Sequence, residues 1–289
     1  MNTNKNELNF SGVEETALLT LYARAIESRK DNPILKDEKA EEIAARLDEL
    51  HQRHTGGKEK HYFSRTFDAR LAIHIPLRSW KFDEYTRAFI KAHPDCVVVN
   101  LGCGMDTRFF RVDNQKILFF DVDLPEMIAA KRQFIQETSR YKMIGQSVLE
   151  MDWMNPVSAL RKPVIFLAEG LFMYLPEERV KALVIEMQKR FPESELVCEL
   201  TNRMWVDGFW GKISAMKLKR RLKMGKDAAF KFGISDAREL ETWHDGIEFL
   251  EKWFYMDSNH PKLGWMRMFK NWQFFRDAQY TAHYRLHAR

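Results

Sequence analysis

Two glycines and three acids, in the order the chain presents them, set the chemical question. Gly102 and Gly104 follow directly on Val97-Val-Val-Asn-Leu101, a β-branched run of the kind that forms a strand buried on both faces. Glycines at a strand-to-helix turn let a ligand come close to the backbone, and the helix start beyond offers N–H groups with no partner inside the helix. Asp121 and Asp123 stand 19 and 21 residues after Gly102, at the end of a second apolar run. That is the distance at which an acid meets a ribose diol. Glu169 closes a third run, Val164-Ile-Phe-Leu-Ala168. Two ligand classes share this logic. A dinucleotide asks for G-x-G-x-x-G, whose third glycine permits close helix–strand packing, and Thr107 occupies that position. S-adenosylmethionine has no pyrophosphate and asks only for the turn and the ribose acid. The glycine turn alone leaves open both a nicotinamide-dependent oxidoreductase and a methyltransferase.

Other reactive residue types argue for little. The three cysteines, Cys96, Cys103 and Cys198, form no C-x-x-C pair, and the nine histidines include no H-E-x-x-H. No metal site is expected. Cys103 has no base beside it in the sequence, so it is not expected to be a nucleophile. Asp106 is expected to cap a helix locally, and His51 and His54 to lie on a solvated helix end.

Helices and strands must hold these residues in place. Ser11-Gly-Val-Glu14 has capping-box spacing, followed by Leu18, Leu21, Tyr22 and Ala25 at helical intervals. A second helix carries Ile43, Leu47 and Leu50, and a third is expected from about Trp80, with Phe82, Tyr85 and Phe89 inward. From Cys96 onward strands alternate with helices. Ile117–Asp121, Tyr141–Ile144, Val164–Ala168 and Glu195–Glu199 are expected strands, and Pro125 and Pro176 open helices. Such alternation means βαβ units and a parallel sheet, an α/β doubly wound core. Six of the eight tryptophans come after Thr201, and Gln279–Leu286 reads as a last strand.

The 289 residues, 45% hydrophobic and 30% charged, suit one α/β domain with ample core. Its expected parts are a helical cap over 1–94, a cofactor-binding core over 95–203, and a lid with the last of the sheet over 204–289. No apolar stretch is long enough to span a bilayer, and the N-terminus lacks a signal-like apolar segment. A cytoplasmic protein with no membrane partner is the expectation. The formal net charge of +5 is mild. Its densest basic run, Lys217 to Lys226, is interleaved with Met216, Leu218 and Leu222. An amphipathic helix face is expected there rather than a nucleic-acid site, although an RNA-binding module is the rival reading of that run.

Three longer strings are more specific. Val97-Val-Val-Asn-Leu-Gly-Cys-Gly-Met-Asp-Thr-Arg108, Phe120-Asp-Val-Asp-Leu-Pro125 and Ala168-Glu-Gly-Leu-Phe-Met-Tyr-Leu-Pro176 together resemble the leucine carboxyl methyltransferase superfamily. With Glu14 to Ser28, they are similar to its bacterial small-molecule O-methyltransferase branch. The resemblance spans roughly residues 12 to 203. It implies a Rossmann-like, mostly parallel seven-stranded sheet and S-adenosyl-L-methionine as cofactor, with S-adenosyl-L-homocysteine as product. It places Gly102 and Gly104 under the methionine moiety and Asp123 on the ribose, with Asp121 assisting. Glu169 falls near the cofactor's amino group and the methyl-transfer site and is expected to be catalytic; Tyr174 in the same string is the second catalytic candidate, as a pocket wall, with core packing as its alternative. Arg78 matches the grip on the cofactor carboxylate, with Arg70 as rival. Ser147, Val148 and Leu149 flank the adenine, where some relatives carry an acid and this chain has none, leaving Asp152 or a backbone carbonyl for the exocyclic amine. Tyr22 and Arg24 fall on a helix that covers the cofactor in relatives.

The resemblance implies O-methylation of a small aromatic or polyketide-like acceptor, with protein C-terminal carboxyl methylation as the alternative. A carboxylate acceptor is already ionised near pH 7 (ordinary pKa ~4) and needs no base, whereas a phenol does. No His-Asp pair is evident in the sequence, which favours a carboxylate, unless folding brings in His244, His260 or His283.

Overall fold

The computed structural model describes residues 12–56, 69–207, 230–264, 268 and 277–288. Three helices come first: α1 (Gly12–Ser28), α2 (Glu38–His54) and α3 (Ala69–Ala92). Asp37 caps α2 by accepting from the Ala40 N–H at 3.0 Å, a bond of the kind worth about 1 kcal/mol. The α3 helix begins well before Trp80 and runs through Pro76. Proline inside a helix removes a hydrogen bond and crowds the preceding turn. Here Ile75 and Leu77, on either side of it, are buried, and that tertiary burial outweighs the local penalty.

The sheet strands are β1 (Val97–Leu101), β2 (Leu118–Asp123), β3 (Tyr141–Gly145), β4 (Val164–Ala168), β5 (Ser194–Thr201), β6 (Ile247–Phe254) and β7 (Gln279–Leu286). They lie in the order β3-β2-β1-β4-β5-β7-β6. The first five are mutually parallel, and β7 runs antiparallel between β5 and β6. The fold is a doubly wound, mostly parallel seven-stranded α/β sheet. The C-terminal part returns two strands to it. β6 carries little alternation because it is a half-exposed edge strand, so no periodic signal marks it in the sequence.

Both faces of β1 are buried. Val97, Val99 and Leu101 pack with Trp153, Phe172 and Leu183, while Cys96 and Val98 pack with Leu18, Leu21 and Phe82 from the N-terminal helices. Helix α5 (Pro125–Arg132), after β2, lies on the second of these faces; α7 (Glu177–Arg190), after β4, lies on the first. β1 and β4 are neighbours, so the chain reverses its winding between them. That is where open α/β sheets form a crevice at the carboxyl ends of their strands.

Candidate active site

The crevice has one arm made of backbone. Gly102 and Gly104 both adopt left-handed φ, +61° and +47°. A Cβ on Gly102 would stand 2.7 Å from Leu171 Cδ1. The Gly104 N–H donates to Asp123 Oδ2 at 2.7 Å, and the Leu124 N–H to Oδ1 at 2.8 Å. Asp123 is thus held against the turn, half-buried, and burial pushes its carboxyl above the usual range. Asp121 takes a different environment. It is buried, accepts from Lys131 Nζ at 2.8 Å and Asn100 Nδ2 at 3.0 Å, and also receives the Tyr141 hydroxyl. All these partners are protein donors in the interior.

The other arm is a lattice of ion pairs. Arg78, on α3, donates from Nε to Glu169 Oε1 at 2.8 Å and from Nη1 to Glu199 Oε2 at 2.9 Å. Ser79 donates to the same Glu169 oxygen at 2.9 Å. Arg108 is fully buried in α4 (Arg108–Val112) and reaches Glu169, Asp83 and Asp106. Arg111 joins Asp83, Asp106 and Asp37, and Arg24 reaches Asp37 and the Met105 carbonyl. Burial pushes the Glu169 carboxyl up, but Arg78 and Arg108 outweigh it and hold it below the carboxylate range. Asp37 behaves likewise beside Arg111 and Arg24. Glu199 differs: burial wins over Arg78 and raises it. Asp106 does bond the Thr107 N–H locally, yet both its oxygens also belong to the lattice, through Arg111 and Arg108.

The remaining expected residues lie around these arms. Ser147 caps a short 3-10 turn, Val148–Glu150, after β3 and accepts from the Leu149 N–H at 3.3 Å. Val148 is buried, Leu149 half-buried and Asp152 exposed. Tyr174 is half-buried, its ring 5.5 Å from that of Phe230, and burial pushes its hydroxyl up to about 12. Tyr22 ties α1 to α2 through Asp48 at 2.7 Å. The Arg70 side chain, Trp210, Trp265, Trp272 and the Lys217–Lys226 run lie outside the described residues.

None of the three histidines weighed as a base shows a catalytic pairing. His283 pairs with Glu195 near the amino end of β5, His244 is exposed, and His260 accepts from the Lys262 N–H. Among the described residues a histidine near the lattice is His74, one turn before Arg78, with its ring against Tyr255 at 3.9 Å. Burial and then Arg78 lower it to about 3, so it is neutral near pH 7. Glu199, Ser79, His74 and Tyr255 carry no motif of their own, and Arg108 closes the first family string without a role assigned to it. Only Arg108, opening a helix beside buried Phe109, had a visible signal: a charge where the pattern asks for core.

A profile of the leucine carboxyl methyltransferase family matches residues 17–188. The chain belongs to that family. It is an S-adenosyl-L-methionine-dependent methyltransferase. It is 33% identical over 270 residues, 92% of this chain and 90% of the relative, to the tetracenomycin polyketide synthesis O-methyltransferase TcmP of Streptomyces glaucescens. It is 26% identical over 273 residues, 90% and 88% of the two chains, to an S-adenosyl-L-methionine-dependent methyltransferase of Gibberella zeae. A solved DUF574-family protein from Streptomyces avermitilis shares the fold, with a TM-score of 0.56 at 14% identity over 93% of this chain and 96% of that one. The family membership weighs against the nicotinamide reading, in line with Thr107 in place of the third glycine. Among the described residues no helix is long and apolar enough to cross a membrane.

Proposed function

We propose that this methyltransferase O-methylates a small aromatic or polyketide-like acceptor, at a carboxylate in preference to a hydroxyl. The observation that carries the reading is the placement of the two arms at the carboxyl ends of neighbouring strands β2, β1 and β4. On one side stand the Gly102–Gly104 turn and Asp123; on the other, Arg78 and Glu169. The cofactor fits the residues present. The Gly102 turn is a cradle that a side chain would fill, and Arg78 Nη2 makes no hydrogen bond among the described residues, so its N–H groups suit a carboxylate.

In this reading Asp123 accepts from the ribose hydroxyls, Gly102 and Gly104 pass beneath the methionine moiety, and Ser147, Val148 and Leu149 border the adenine. Glu169 faces the amino group, and Tyr174 walls the methyl-transfer space. Asp121 is a positioning residue rather than a ligand, since Lys131, Asn100 and Tyr141 occupy it. S-adenosylmethionine, when bound, supplies a methyl group already activated on sulfonium. The protein's task is to align the acceptor oxygen and keep water out. Burial and Arg78 make His74 a weak proton acceptor, which supports an acceptor oxygen that is ionised before it arrives. The similarity to TcmP over nearly the whole chain supports the small-molecule acceptor.

The test is calorimetric titration of the folded protein with S-adenosylmethionine, followed by labelled-methyl transfer to a panel of aromatic carboxylates and phenols. Micromolar binding and a product whose label is released by mild alkali, as from a methyl ester, are expected. Absence of cofactor binding would sink the site assignment. An alkali-stable ether product would reverse the preference for carboxylate.

A further inference from the structure

Charge is unevenly shared along the lattice. Glu169 has two guanidiniums, Arg78 and Arg108, and Asp37 has Arg24 and Arg111. Buried Asp83 has Arg108 and Arg111, with half-exposed Arg87 at 3.7 Å. Glu199 is fully buried and has Arg78 alone, at 2.9 Å, while Arg78 is already paired with Glu169. Its other donors are neutral: the Tyr255 hydroxyl at 2.5 Å and the backbone N–H of Gly170. His74, beside them, adds no charge near pH 7. A buried carboxylate without a full counter-charge is unfavourable, and a cation arriving in the crevice relieves it.

We propose that Glu199 is a specificity-determining residue, the under-compensated carboxylate that makes the crevice favour the positively charged sulfonium cofactor over its neutral thioether product. This rests on reading Arg78 and Glu169 as the cofactor-facing pair. Adenosine, the amino group and the carboxylate are the same in both ligands, so contacts to them cannot discriminate. Only the sulfur centre differs, by its methyl group and the positive charge, and sinefungin has a charge without that S-methyl group. A fixed carboxylate separates the two by Coulomb attraction, which a buried site screens less than water does. Once the methyl group has left, that attraction is gone and the product is released more readily.

The experiment compares S-adenosylmethionine, sinefungin (an ammonium in place of the sulfonium) and S-adenosylhomocysteine by calorimetry on wild type, Glu199→Gln and Tyr255→Phe. Glu199→Gln should lose about tenfold, about 1.4 kcal/mol, for the two cationic ligands and less than twofold for the thioether. Tyr255→Phe breaks the same hydrogen-bond network but keeps the charge, so its affinity ratios should stay within twofold of wild type. An equal loss of all three ligands in Glu199→Gln would overturn the proposal, as would a Tyr255→Phe variant with the same altered ratio. A wild-type sinefungin-to-thioether ratio near one overturns it with no variant needed. If folded wild type binds none of the three, the reading of the crevice itself fails. Normal wild-type binding with an unchanged ratio in Glu199→Gln fails this proposal alone.

Discussion

At the β1–β2 end of the crevice, Gly104 and Asp123 meet across 19 residues through a backbone N–H. At the β4–β5 end, Arg78 meets Glu169 and Glu199 across 91 and 121 residues, side chain to side chain. The first arm joins backbone N–H groups to a single carboxylate, and it needs only two strands and a turn. The second exists only when α3, β4, β5 and the loop after β1 are all docked, and every contact in it depends on an ionised partner. Local geometry and long-range charge therefore share one site, and the two arms should fail differently.

The largest expected effect is in the charged arm. Arg108→Met leaves Asp83, Asp106 and Glu169 short of a buried cation and should cost about 3–5 kcal/mol of stability, read from urea denaturation. A loss below about 1 kcal/mol would mean the lattice behaves as solvated surface, and the contrast between the arms would collapse. In the backbone arm, Asp123→Ala should weaken S-adenosylmethionine about 100-fold, roughly 2.7 kcal/mol. The denaturation midpoint should shift little, because only two part-buried N–H bonds at a turn are lost. Joint loss of binding and fold would show that this arm, too, is structural.

Gly102→Ala sharpens the comparison further. At φ +61° the substitution should cost about 1–2 kcal/mol, to which the contact with Leu171 adds. Leu171→Ala in the same chain should return the steric part and leave the backbone part. Full rescue would remove the case for a conformational requirement.

The smallest effect is the response to acid. Glu169 and Asp37 lie below the ordinary carboxylate range when folded. Their contribution is present above about pH 4 and is lost as pH falls through the folded values. Glu199, raised by burial, works with the opposite sign: it destabilises as pH climbs through its folded value. Melting midpoints should fall from pH 5 towards pH 3, and Arg108→Met should fall less steeply. An equal slope in the two proteins would separate acid sensitivity from the lattice.

How much of this was readable beforehand follows the same division. The glycine turn and the strand ends carrying Asp123 and Glu169 stand out because their signals are local: β-branched runs, a turn and an acid. Spacing could not tell Asp121 from Asp123, two residues apart on one strand. The fold gives Lys131 and Tyr141 to the first and the glycine-turn N–H to the second. The start of α3 was hidden by Pro76, and β6 by its half-exposed edge position. His74 and Glu199 carried no signal, since a histidine in a helix and a glutamate in a strand look the same whether they face solvent or a guanidinium.

The amino-acid sequence by itself determined the alternation of strands and helices, the turn after β1, the acids at the strand ends and the family. Those are set by side-chain volume, branching and backbone freedom within a few residues. Only the tertiary structure decided which carboxylates receive a counter-charge. Pairing depends on which distant elements dock together, and parallel strands bring Glu169 and Glu199 to Arg78 only once the sheet is complete.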